Sequence, residues 1–173
     1  MKKAILSLLL LIGCSGLEKR DCAGLDWYKQ GEIDGNNGKR RSYFLQHGLA
    51  CKLTPDRATY LKGREEGLKQ FCTYSGGFRD ALEGQIYLGQ CIDSKNIKNF
   101  KKGREKGSEI YFQKEKIFTL KEKLKDIKRD FKHDFSSSDE MLEYNNDIGI
   151  LKNEIKIEEA HLNKLLRSNK MKY

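Results

Sequence analysis

Three stretches of this chain place two glycines, four residues apart, behind an aromatic residue. They are Tyr28-x-x-Gly31-x-x-x-Gly35, Tyr60-x-x-Gly63-x-x-x-Gly67 and Phe100-x-x-Gly103-x-x-x-Gly107. The last two are otherwise rich in good helix formers, and residues four apart share one helix face. Each mid-helix glycine costs about 1 kcal/mol relative to alanine. Six of them cost about 6 kcal/mol, comparable to the whole stability of a small domain. A phosphate-gripping loop would need a glycine-rich turn between strand and helix, ending in Lys-Ser/Thr, and GREEG has neither. Charged residues between the glycines exclude a membrane helix dimer. The pattern predicts close backbone approach between water-exposed helices, with Gly31, Gly35, Gly63, Gly67, Gly103 and Gly107 at the contacts.

The surrounding sequence supports a mostly α fold. There is one proline, and Lys, Glu, Leu and Ile are abundant. A first helix is read over about Gly24 to Leu49. Thr54, Pro55 and Asp56 signal the start of a second, which runs to about Cys72. Thr73 to Cys91, with its glycines and aromatics, reads as irregular. From Asp93 or Ser94 a long third helix follows, broken at Ser136-Ser137-Ser138-Asp139, where Ser137 and Glu140 form a capping box for a fourth.

The last two helices carry sustained heptads: Ile110, Ile117, Leu124 and Phe131, then Met141, Ile148, Ile155 and Leu162. Folding the chain at the serines sets Leu124 against Leu151, Ile127 against Ile148, Leu120 against Ile155, Phe131 against Tyr144 and Ile110 against Leu165. One turn satisfies all five layers, which predicts a long antiparallel two-helix coiled-coil hairpin. Lys123 should then lie near Glu154 and Lys114 near Glu159. Ile117 opposite Glu158 is a weak layer, where a third element or partner could enter.

The N-terminus reads as an export signal. Met1-Lys2-Lys3 is a positive start, Ala4 to Ile12 is largely apolar, and Gly13 precedes a cysteine. That apolar run is too short to span a bilayer, which needs roughly 20 residues. Leu11-Ile12-Gly13-Cys14 resembles the lipobox of bacterial lipoproteins. The resemblance implies a lipid on Cys14, which becomes the new N-terminus, and Ser15 in place of an aspartate implies outer-membrane sorting. The expected organisation is a signal peptide at 1–13, a tether at 14–23, a Cys/Gly-rich helical module at 24–92 and the hairpin at 93–173, turning at about 135–139. Without Lys2 and Lys3 the chain carries 32 basic against 25 acidic residues. That balance suits anionic surfaces such as lipid headgroups or cell-wall polymers, and export makes nucleic acid an improbable partner.

Hydrophobic residues are 38% of the chain, below the usual 45–50% or so, so staples are expected besides the core. Four cysteines remain after Cys14: Cys22, Cys51, Cys72 and Cys91. In an exported chain they read as two disulfides, with three connectivities. If the first two helices are antiparallel, the start of one meets the end of the other, giving Cys22–Cys72 and Cys51–Cys91. Zinc held by His47 and Cys51 is the rival reading, disfavoured by the absence of a CxxC pair. No GxSxG, HExxH or spaced carboxylate pair suggests catalysis, and no cofactor or metal is expected beyond the lipid. Asp34 and Arg64 read as a structural ion pair. Trp27, His47, Arg64 and Arg79 form the candidate ligand face.

The ordered string Cys22, Asp26-Trp27, Gly31, Asp34-Gly35, Gly38, His47, Cys51, Asp56, Tyr60, Gly63-Arg64, Gly67-Leu68, Phe71-Cys72, Gly84, Tyr87 and Cys91 resembles small Gram-negative lipoproteins catalogued as domain of unknown function 2799. The resemblance covers about residues 14–92, and Ile92 stands where a proline often follows the last cysteine. It implies export and a cysteine-stapled module, but no established chemistry and no catalytic residue. The leading expectation is a non-enzymatic, lipid-anchored envelope protein whose hairpin engages a protein partner, a second copy included. The alternatives are a binding module for peptidoglycan or another anionic glycan, and, more weakly, a small hydrolase with His47 as base.

Overall fold

The computed structural model describes residues 22–130 and 138–170. Expectations for the signal peptide, Cys14, Phe131 and Ser137 lie outside the described residues. Six α-helices follow in order: α1 (Trp27–Asn36), α2 (Phe44–Cys51), α3 (Arg57–Phe71), α4 (Tyr74–Leu82), α5 (Ile97–Asp130) and α6 (Ser138–Lys170). No strand occurs among the described residues. The fold is mostly α, with two disulfides in the N-terminal module followed by two long helices.

Side-chain caps set the starts of three helices. Asp26 accepts from the Lys29 amide at 3.0 Å, Asp56 from the Thr59 amide at 3.0 Å and Thr73 from the Gly76 amide at 3.1 Å. The start expected at Thr54 therefore falls two residues later, on Asp56. The expected first helix is two helices. It breaks at Gly38, whose φ of 63° is left-handed and favours glycine.

The glycines set how the helices pair. A Cβ on Gly31 would strike the Tyr60 carbonyl, and one on Gly35 the Arg64 carbonyl. Reciprocally, Gly63 meets the backbone of Tyr28 and Gly67 that of Glu32 and Asn36. Contact positions advance together along both helices, so α1 and α3 run parallel. The same holds for α4 and α5: Gly77 meets the Phe100 carbonyl, Gly103 the Tyr74 carbonyl and Gly107 the Phe78 carbonyl. The segment expected to be irregular therefore contains a helix. Gly76 and Gly77 weaken it in isolation, but the Thr73 cap and tight packing on α5 sustain it.

Parallel pairing also corrects the cysteine connectivity. The observed disulfides are Cys22–Cys51 and Cys72–Cys91, not Cys22–Cys72 and Cys51–Cys91. Cys22 and Cys51 precede α1 and α3, and Cys72 and Cys91 precede α4 and α5. Parallel helices bring their starts together, so each bridge ties one pair. The core lies where the pairs meet. Phe71 and Tyr87 each pack on fully buried Phe100 at 5.2 Å, beside Cys72 and Cys91.

Beyond the module α5 packs on α6, burying Ile110, Ile117, Ile148, Leu151 and Ile155. The end of α5 at Asp130 and the start of α6 at Ser138 are only eight positions apart in sequence, so packed helices of roughly 50 Å run antiparallel. Gln113 donates to the Glu158 carbonyl at 3.0 Å and its carboxylate at 2.6 Å, while Lys116 reaches that carboxylate at 2.6 Å. The weak layer at Ile117 is thus completed from within the hairpin. Lys116–Glu158 and Lys121–Glu159 stand in place of the expected Lys123–Glu154 and Lys114–Glu159 pairs.

Candidate functional site

Aligning the two helix pairs exposes a duplication. Tyr28, Gly31, Asp34, Gly35, Gly38 and Lys39 correspond to Tyr74, Gly77, Asp80, Ala81, Gly84 and Gln85, all 46 positions on. His47, Cys51, Tyr60, Gly63, Arg64 and Gly67 correspond to Tyr87, Cys91, Phe100, Gly103, Arg104 and Gly107, all 40 positions on. α4 therefore carries a fourth copy of the aromatic-glycine stripe, with Ala81 as its second small residue.

Hydrogen bonds repeat with the sequence. Gly38 donates to the Gly35 carbonyl and Gly84 to the Ala81 carbonyl, each at 3.0 Å. Both glycines have positive φ, 63° and 72°. Lys39 donates to the Asp34 carbonyl at 2.8 Å, and Gln85 to that of Asp80 at 3.0 Å. Each turn is then gripped by an arginine: Arg64 Nη2 donates to the Lys39 carbonyl at 2.7 Å and Arg104 Nη2 to the Gln85 carbonyl at 2.8 Å.

The halves differ in what holds the aspartate. In the second, Arg104 forms an ion pair with Asp80. In the first, one carboxylate oxygen of buried Asp34 meets His47 Nε2 at 2.6 Å and accepts the Tyr60 hydroxyl at 2.7 Å. Its other oxygen accepts from Gln30 at 3.2 Å. Burial, reinforced by the Asp34 hydrogen bond, pushes the Tyr60 phenol well above its ordinary range. Phe100 has no hydroxyl, and the Tyr87 hydroxyl accepts from the Cys91 amide at 3.1 Å instead. The expected Asp34–Arg64 ion pair is therefore absent: Arg64 directs both Nε and Nη2 to the Lys39 carbonyl.

The four residues expected to share a ligand face do not converge. Trp27 is half-buried in the first turn of α1. His47 is 1% exposed, inside the module, with the Tyr43 ring at 5.2 Å. Arg79 is exposed beside Asp80 and Glu83, in an opening that Arg64 does not line. Arg64, 8% exposed, borders a cleft of about 500 Å³ between α3 and the segment entering α5. Arg41, Gln90 and Asp93 join it there and were not singled out from sequence. The Arg40-Arg41 pair was the available signal. Zinc at His47 and Cys51 is ruled out by the Cys22–Cys51 disulfide, and no group of metal-ligating side chains occurs among the described residues.

Two tandem, disulfide-tied pairs of parallel helices thus define the module. Residues 26–109 match a family model described as a protein of unknown function, DUF2799. The match runs past Cys91, where the sequence resemblance had ended, and takes in the α5 glycines. No curated protein and no solved structure matches the chain.

Proposed function

We propose that the protein is a non-catalytic, lipid-anchored lipoprotein of the outer membrane, whose module holds a helical hairpin out to a protein partner. The observation that carries this reading is the apolar surface of the hairpin. Phe112 and Phe118 on α5, and Leu142, Ile150 and Ile157 on α6, are each more than half exposed. Isolated exposed apolar residues are ordinary, but Ile150 and Ile157 sit one heptad apart on a helix whose buried seam is already occupied by Ile148, Leu151 and Ile155. The burial of His47 and its use by Asp34 weigh against the hydrolase reading. The glycan-binding alternative draws support from the basic balance of the chain and the arginines of the cleft.

The test is crosslinking and pull-down of the intact lipoprotein from its envelope, beside an Ile150→Glu/Ile157→Glu double variant. The reading predicts loss of a co-purifying protein with helicity unchanged; an unchanged set of captured proteins would reject it. Deleting residues 93–173 would not serve, because it removes Phe100, Gly103 and Gly107, which pack against α4.

A further inference from the structure

The duplication gives an internal standard for what the motif arginine accepts. Arg104 holds the Gln85 carbonyl and the Asp80 carboxylate together. Arg64 holds the equivalent carbonyl, of Lys39, but its aspartate is committed to His47 and Tyr60. The guanidinium has five N–H donors, and one acceptor oxygen does not exhaust them. Arg64 forms no ion pair among the described residues and is more than nine-tenths buried.

Its surroundings are rich in cations. Burial is the main influence drawing the Arg64 guanidinium below its ordinary value; Tyr60, Asp34 and Glu65 oppose it, and Arg41, which lines the same cleft, adds to it. Arg40 joins both arginines and Asp93 in an adjoining opening. Leu61 and Leu68 provide an apolar wall. Glu65 and Asp93 line the cleft without forming an ion pair to Arg64, and an anion seated directly on the guanidinium would add charge-assisted hydrogen bonds.

We propose that the Arg64–Arg41 cleft binds the carboxylate of a small ligand with an apolar body, supplying to Arg64 the counter-charge that Asp80 supplies to Arg104. A carboxylate fits better than a phosphate dianion, because Glu65 and Asp93 also line the cleft and repel a second negative charge. Guanidinium and carboxylate are matched in geometry, so charge-assisted hydrogen bonds set the selectivity, and the leucines take the body of the ligand. This inference is independent of the hairpin reading.

The test is an NMR titration of the full mature chain, ¹⁵N-labelled, with N-acetyl-leucine, N-acetyl-leucinamide and inorganic phosphate. The expected result is saturable shifts at Arg64, Arg41 and Lys95 with N-acetyl-leucine, at about millimolar affinity. The amide should bind at least about tenfold more weakly, and phosphate more weakly than the acid. Arg64→Gln should abolish the response. Because Arg64 also grips the Lys39 turn, Arg41→Gln at the exposed rim is the second variant, expected to weaken binding about tenfold with an unchanged amide spectrum elsewhere. Absence of saturable shifts with N-acetyl-leucine, equal binding of acid and amide, tighter binding of phosphate, or indifference to Arg41→Gln would each overturn the proposal.

Discussion

The two halves of the module share a backbone plan and differ in how they settle one aspartate. In the second half the ion pair between Asp80 and Arg104 is local to the turn that both residues build. In the first, Asp34 turns inward to an imidazole and a phenol, and its arginine is left facing a cleft. Two side-chain differences accompany the change, Tyr60 for Phe100 and His47 for Tyr87. The hydroxyl and the imidazole converge on the same carboxylate oxygen, so a few atoms decide whether the motif arginine is neutralised. A duplicated scaffold keeps its packing while one copy frees a charged group for another purpose.

The sharpest way to break the comparison is through what the halves have in common. Gly31→Ala and Gly103→Ala each drive a Cβ into a neighbouring backbone that cannot step aside. Both should cost about 3 kcal/mol or more, measured by urea denaturation, and both halves should be lost cooperatively. Gly149, whose Cβ would meet nothing within 4 Å, is the control; Gly149→Ala should be neutral or stabilising by up to about 1 kcal/mol. Equal tolerance of all three substitutions would remove the packing role from the stripe.

A second pair of substitutions should separate the halves by a difference of about 2–3 kcal/mol. Asp34→Ala removes the carboxylate that buried His47 and the Tyr60 hydroxyl share, at an expected cost of about 3–5 kcal/mol. Asp80→Ala removes a partner from Arg104, whose side chain is 18% exposed and keeps its bond to the Gln85 carbonyl. Its expected cost is about 1–2 kcal/mol. Equal losses in thermal or urea unfolding would show that the two aspartates are held alike after all.

Much of this architecture was legible in the residues, and what was missed has physical causes. Heptads and the serine break marked the long helices, because a period of seven survives any detail of the side chains. The glycine stripe marked helix contact but not helix direction, since a smooth groove accepts a neighbour running either way. Direction was hidden in the connection through Gly38, Lys52 and Pro55, which carries the chain back to the start of α1 and whose stretch up to Leu49 reads as helix in the sequence. α4 was missed because Ser75-Gly76-Gly77 is a poor helix in isolation and Ala81 disguises the second small residue of its stripe. Of the site, Arg64 was visible as a buried-motif arginine. Its want of a carboxylate was not, because Asp34, its natural partner in sequence, is captured by groups 13 and 26 residues away.

The central claim is that the module is two pairs of parallel helices, each tied at its starts by its own disulfide. Peptide mapping of the protein under non-reducing conditions tests it most directly. The structure predicts peptides joined Cys22 to Cys51 and Cys72 to Cys91. Recovery of Cys22 joined to Cys72 would require antiparallel packing and would contradict the account.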